Sequence, residues 1–199
     1  SATLQFNNAD IEESPMAQML EDRFLRQCLI REIKENTFID LIEQRTVSEI
    51  IDLDSKKHLT LDNNSKLQAS LLVASDGIDS PTAKASGIRK TGWKYKQRGL
   101  VCAVNHEYSS YNTAYQYFLP EGPLAILPIK NKTASIVWTE SIQNASTISE
   151  MSDAEYLSIL QNRFGNFLGK LKLTGKRLSF PLKLSISEKY VSDKFAVIG

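Results

Sequence analysis

LLVASDGIDSP (71–81) is the stretch on which the reading of this chain turns. Leu71, Leu72, Val73 and Ala74 form a short apolar run of the length and branching expected of a buried β-strand. Asp76-Gly77 breaks that run, and Ile78 to Pro81 continues it with small and polar turn-formers. An Asp at the carboxyl end of a buried strand accepts a ligand hydroxyl or orders backbone amides. A following Gly lets the backbone approach a phosphate or a flat ring closely. The same pair also makes a plain tight turn in which Asp76 caps the next segment, because Asp-Gly is a common turn pair. Local sequence leaves both readings open.

Working upstream, Ser14-Pro15 forms an N-cap and first-turn pair. Apolar residues then recur at helical spacing through Met16, Leu20, Phe24 and Cys28, and through Leu25, Leu29 and Ile33. The spacing predicts a helix over 15–35. TFIDLI (37–42) is a run of strand length. TVSEIIDLDSKKHLTLDNNSKLQASLLVASDG (46–77) alternates between turns at Asp54-Ser55-Lys56 and Asn63-Asn64, which predicts three antiparallel strands.

Working downstream, the texture changes after Gly92. WKYKQRGLVCAVNHEY (93–108), TAYQYFLP (113–120), LAILPI (124–129) and TASIVWTES (133–141) are aromatic and β-branched runs. Short turns at Ser109-Ser110, Glu121-Gly122-Pro123 and Lys130-Asn131-Lys132 separate them, so an antiparallel sheet is expected. Ser152 and Glu155 form a capping box that opens a helix over 153–168, with Leu157, Leu160, Phe164 and Leu168 inward. The tail offers another strand, a loop, and the terminal run FAVIG (195–199), whose texture matches the first region and predicts a return to it.

The 199 residues are 42% hydrophobic and 24% charged with a formal net charge of +1, a globular composition long enough for a sizeable core. Near-neutrality gives no electrostatic reason for a nucleic-acid partner. No apolar run reaches the roughly 18–20 residues of a membrane-spanning helix, and the first residues do not read as a signal peptide. Cys28 and Cys102 read as buried free thiols. With His58 and His106 they give no metal-ligand spacing, so no metal is expected. No Ser/His/Asp arrangement, Walker loop or G-x-G-x-x-G is present, and no general acid or base is assigned.

Two further features invite a functional reading. YFLPEGPLAILPI (117–129) is an apolar strand fixed by three prolines and a glycine, either a rigid hairpin edge or a pocket wall. Trp93, Trp138, Tyr115 and Tyr117 either line an aromatic pocket or serve as core. Lys94, Lys96 and Arg98 alternate along one strand and read as a solvated face.

Taken together, LLVASDGIDSPTAKASGI (71–88), WKYKQRGLVCAVNHE (93–107), FLPEGPLAILPIKNKTASIVWTES (118–141) and LSFPLKLSISEKYVSDKFAVIG (178–199) resemble the flavin-dependent aromatic hydroxylases of ubiquinone biosynthesis. They are similar to the 2-octaprenyl-6-methoxyphenol hydroxylase branch of the para-hydroxybenzoate hydroxylase-like family. The resemblance implies a mixed α+β and α/β fold, the central part of a larger FAD fold. On it, 15–92 and 185–199 belong to an incomplete FAD-binding lobe. Residues 1–14 and 93–184 form an antiparallel substrate-binding sheet with a flanking helix.

The resemblance also implies the chemistry. FAD is reduced by NAD(P)H and, with O2, hydroxylates a polyprenylated phenol. Asp76, Gly77 and Gly199 are the implied cofactor contacts, and Pro123, Leu124, Ala125, Ile126, Leu127 and Pro128 the implied substrate wall. Many relatives carry an Arg a few residues after the Asp-Gly pair, where this chain has Ala83 and Lys84. The Gly-rich FAD loop is missing from the sequence, and Gly199 falls where a second Gly-Asp signature begins. The resemblance therefore implies a central fragment, inactive and without FAD on its own. It also implies a cytoplasmic protein, peripheral at the inner membrane surface, working within a ubiquinone-biosynthesis protein complex. The rival expectations are a non-catalytic module that binds a quinone precursor or a protein, and an FAD-fold oxidoreductase acting on another aromatic.

Overall fold

A computed structural model describes residues 3–10, 16–110, 112–130 and 132–198. In chain order the principal elements are α1 (Asp22–Glu35), β1 (Val47–Leu53), β2 (Lys56–Leu61), β3 (Lys66–Ala69), β4 (Leu72–Ala74) and α2 (Pro81–Ala85). They continue with β5 (Lys90–His106), β6 (Tyr115–Leu119), β7 (Gly122–Pro128), β8 (Thr133–Ser141), α3 (Ile142–Glu150) and α4 (Asp153–Phe164). The last four are β9 (Leu171–Leu173), β10 (Leu178–Ser187), β11 (Val191–Ser192) and β12 (Phe195–Val197). The chain divides into two compact units. One draws on Ser1–Glu35 and Lys96–Pro181, the other on Asn36–Tyr95 and Leu182–Gly199. By this division α1 groups with the first unit rather than with the segment that follows it.

The first unit is organised by a six-stranded sheet of order β10-β5-β8-β7-β6, with β9 paired to β5. Strand alternation sends Leu100, Cys102 and Val104 of β5, Leu124 and Ile126 of β7, and Ala134, Ile136 and Trp138 of β8 into one core. Ala145 and Ile148 of α3 and Tyr156, Leu160 and Phe164 of α4 complete it. Burying each large side chain of this set contributes roughly 1.5–3 kcal/mol. Tyr156 Oη and Cys102 Sγ lie 3.2 Å apart inside the core, and burial pushes the pKa of both groups up. Glu140 is 1% exposed. Its Oε1 accepts from Trp138 Nε1 at 3.0 Å and from Arg163 Nη2 at 3.4 Å, and its Oε2 from Asn144 Nδ2 at 3.0 Å. One buried carboxylate thus ties β8 to both helices, with its charge met by Arg163.

The capping box stands as expected: Ser152 Oγ accepts from Glu155 N at 3.3 Å, and Ser152 N donates to Glu155 Oε2 at 2.9 Å. The helix ends at Phe164, where Gly165 takes φ +88, and Leu168 reaches the core from beyond it. The expected single helix is preceded by a second, α3. Its Ser, Thr and Asn content hides it from propensity, yet Ser141 caps it by accepting from Asn144 N.

The expected helix over 15–35 is observed over 22–35, while Ser14 and Pro15 lie outside the described residues. None of its residues is buried, so Cys28 is an exposed free thiol rather than a buried one. The periodicity identified the helix without supplying a partner for its apolar stripe.

In the second unit, β1, β2 and β3 form the expected antiparallel sheet. Asp54 and Ser55, at φ +50 and +61, make its first hairpin turn. β4 stands in another sheet, of order β11-β12-β4. β12 runs parallel to β4 with Phe195 beside Leu72, Ala196 beside Val73 and Val197 beside Ala74. The terminal run therefore does return to the strand of the opening motif. Ala74, Ala83, Ile88, Phe195 and Val197 form the small core there.

Candidate functional site

The two parallel strands β4 and β12 end side by side, and Ile198 N extends their ladder by donating to Ala74 O at 2.8 Å. The turn carrying Asp76 and Gly77 leaves β4 at this edge, the kind of strand end that open α/β sheets use for ligands. Gly199, the third expected cofactor contact, lies outside the described residues.

Asp76 is held by the start of α2. Its Oδ1 accepts from Ser80 Oγ, and its Oδ2 accepts from Thr82 N at 3.0 Å. Ser80 in turn accepts from Ala83 N at 2.9 Å as the N-cap of α2, with Pro81 at the first helical position. Burial pushes the Asp76 carboxyl up, but the bonds from Ser80 and Thr82 outweigh it, and its pKa lies below the ordinary carboxylate value. The capping role weighed at the sequence level is thus realised, with both carboxylate oxygens engaged.

Gly77 sits at φ +87, and a Cβ there meets nothing within 4 Å, so its backbone borders open space. Its carbonyl accepts from Ser80 N at 3.0 Å and from Lys90 Nζ at 3.3 Å, and Ile78 O accepts from Lys90 Nζ at 2.8 Å. Next along, Asp79 pairs with Lys183 at 2.5 Å. The hydrogen bond from Lys183, aided by Lys90 and Lys94, holds the Asp79 carboxyl below the usual range. Sequence reading missed Ser80 and Lys90 as the residues that fix this turn. The Ser-Pro pair signalled the first, but the second is distant in sequence. Ala83, near the point where the resemblance implies an Arg, is 0% exposed and packs in the small core.

The other candidate surface is the six-stranded sheet of the first unit. Of the six expected wall residues, Leu124 and Ile126 are 0% and 1% exposed and belong to the core, which removes them from any ligand on the opposite face. Pro128 stands on their side of β7, beside Ala134. Pro123, Ala125 and Leu127 alternate to the opposite face. There Ala125, Val137 and Val101 form one row across β7, β8 and β5, and in the next row Thr139 pairs with Gly99, with Pro123 one residue beyond the last β7–β8 pair, Leu124 with Trp138. Both rows are uncharged, and the first is small and half-buried. Gly122 opens β7 at φ +141, where a Cβ would stand 2.5 Å from the Thr139 methyl. Gln97 Nε2 donates to Glu121 O at 2.5 Å beside it.

Of the two readings of the four aromatics, core or pocket, core holds for Trp138, Tyr115 and Tyr117. Trp138 is wholly buried, Tyr115 packs its ring 4.7 Å from Phe167, and Tyr117 lies against the core, while Trp93 is exposed and 6.1 Å from Tyr95. Lys94 and Lys96 are exposed as expected, whereas Arg98 Nε and Nη2 donate to Ser179 Oγ and O at 2.7 and 3.0 Å. Among the described residues no helix is long and apolar enough to cross a membrane. Nor is any group of three His, Cys, Asp or Glu side chains placed to hold a metal ion.

No protein-family model matches the chain. Curated relatives do. An uncharacterized protein of Synechocystis sp. is 30% identical over 99% of this chain and 48% of its own length. Ubiquinone hydroxylase UbiL of Rhodospirillum rubrum is 31% identical over 94% of this chain and 44% of its own. Among solved structures, p-nitrophenol 4-monooxygenase PnpA of Pseudomonas putida superposes with a TM-score of 0.68 at 15% identity, over 90% of this chain and 47% of that one. The chain is a homologue of the ubiquinone hydroxylases, with a flavin-monooxygenase fold. It spans about half the length of the curated relatives it matches. Other solved structures of this fold include the flavin-dependent halogenase CmlS and the flavin-dependent monooxygenase PieE, the latter in complex with FAD. At the turn after β4 the Gly77 backbone borders open space and the Asp76 carboxylate is fixed beside it.

Proposed function

We propose that these residues supply the cofactor-edge turn and the substrate wall of an FAD-dependent aromatic monooxygenase. It uses NAD(P)H and O2 to hydroxylate a polyprenylated phenol in ubiquinone biosynthesis. The observation that carries the reading is the homology to a ubiquinone hydroxylase over 94% of the chain, on the fold of an aromatic monooxygenase.

FAD supplies the redox and oxygen chemistry when bound. The chain's own residues do the rest. Asp76, kept ionised by Ser80 and Thr82, fixes the turn so that the Gly77 backbone stays open to the cofactor. Ala125, Val137 and Val101 give the ring of the phenol a small, uncharged surface that excludes water. The turn after β4 serves the cofactor, and the strands β7, β8 and β5 serve the substrate. The apolar tail of the substrate favours work at a membrane surface, within reach of neighbouring enzymes of the same pathway. These 199 residues contain no G-x-G-x-x-G phosphate loop, and alone they are expected to purify without flavin colour.

The test uses the full-length protein, loaded with FAD. NAD(P)H oxidation stimulated by a prenylated phenol, with a hydroxylated product, is the expected result. FAD binding without phenol-stimulated turnover would reject the reaction while leaving the fold intact.

A further inference from the structure

Phe118 is 83% exposed although it lies within a regular strand. Tyr115, Tyr117 and Leu119 of β6 pack against the core, so alternation sends Gln116 and Phe118 to the opposite face. That face is the one that carries Pro123 and Ala125. Phe118 pairs in register with Pro123, extending the row of Thr139 and Gly99, and Gln116 pairs with Ala125. β6 is the last strand on this side of the sheet. The small, uncharged plateau therefore ends at the sheet edge in an exposed aromatic side chain beside an exposed proline.

We propose that Phe118 and Pro123 form the lip along which the isoprenoid tail of the phenol substrate leaves the ring-binding plateau, making Phe118 a specificity-determining contact for tail-bearing substrates. The inference rests on the hydroxylase reading above and adds to it the place where the tail runs. Three observations favour this occupant. The lip is continuous with the plateau through the backbone register of β6, β7 and β8. The face residues in both rows, from Gln116 and Phe118 inward, carry no charge, which suits a hydrocarbon rather than a phosphate or a peptide. The other residues of these two rows are small enough to admit a flat ring, whereas Phe118, the large apolar side chain among them, stands at the edge, where a chain leaving the ring would pass.

The experiment uses the full-length FAD-loaded enzyme and two phenols with the same ring, one bearing a long isoprenoid tail and one bearing none. Phe118→Ser is expected to lower kcat/KM for the tailed phenol about 10- to 100-fold, mainly through KM, the range set by losing one large apolar contact. The tailless phenol should react within about twofold of wild type. Phe118→Leu should recover most of the tailed activity, and matching thermal melts should show that both variants fold. Equal loss on both phenols, or no loss on either, overturns the proposal. A Phe118→Ser variant with unchanged kinetics in detergent but weakened binding to phospholipid vesicles also overturns it, and assigns the lip to the membrane instead. A wild-type enzyme that hydroxylates neither phenol sinks the hydroxylase reading, a result distinct from the other outcomes.

Discussion

The two units of this chain hold themselves together by different means. Around the six-stranded sheet, fourteen side chains among the described residues form one continuous core, with helices α3 and α4 closing one face. Around β4 and β12, five side chains do so, and Leu71 and Val73 of the same stretch remain 56% and 44% exposed. The first unit derives its order from packing. The second adds a polar turn in which Ser80 and Thr82 donate to Asp76 and Lys90 donates to the Gly77 and Ile78 carbonyls. Packing tolerates little change of volume, whereas a hydrogen-bonded turn answers to backbone conformation and charge. The contrast also divides the proposed roles, with a stiff wall for the substrate and an open backbone for the cofactor.

Substitutions can be ranked against that contrast. Trp138→Ala, at a wholly buried position, should cost about 3–5 kcal/mol by denaturant unfolding. A loss below about 1 kcal/mol would mean that packing does not dominate the sheet unit. Glu140→Ala leaves the Trp138 Nε1 donor unpaired in the interior and should cost about 1–3 kcal/mol. Glu140→Gln, which keeps an acceptor, should cost less, and equal costs would show that the carboxylate is not the tie between β8 and the helices. Gly77→Ala forces a side chain to positive φ and should cost about 1–2 kcal/mol although the space is open. A neutral result would mean that the turn relaxes.

The smallest effect is electrostatic. The folded pKa of Asp76 is depressed by Ser80 and Thr82 against the opposing effect of burial. Its contribution is therefore present above the ordinary carboxylate pKa of about 3.9 and lost as pH falls through the lower folded value. Asp76→Asn should flatten that part of the acid limb in a pH series of unfolding curves. An unchanged limb would show that the turn does not depend on the charge.

Local signals in the sequence were sufficient where the determinant was local. The Ser152–Glu155 capping box, the Asp54-Ser55 hairpin turn and the strands at 72–74 and 195–197 each rest on a few adjacent residues, although of the first strand only Ala74 is buried. Other features depended on partners distant in the chain. α3 is helical because Ala145 and Ile148 find the core, which its polar sequence does not announce. The wall segment 123–128 was legible as a strand, but its division between Leu124 and Ile126 on one face and Pro123 and Ala125 on the other required knowing which face the helices cover. Phe118 was hidden for the same reason, since an aromatic in a strand reads as core until the parity of its neighbours is fixed. At the turn, Asp76 and Gly77 were visible, whereas Lys90 arrives through the fold.

The most direct test of the central claim is oxygen-isotope incorporation by the full-length enzyme. A prenylated phenol is turned over with FAD, NAD(P)H and heavy-isotope O2, and the product mass is measured. One labelled oxygen atom added to the ring, with the tail intact, is the expected result. An unlabelled product carrying oxygen from water, or oxidation without oxygen insertion, would contradict a monooxygenase built on this wall and turn.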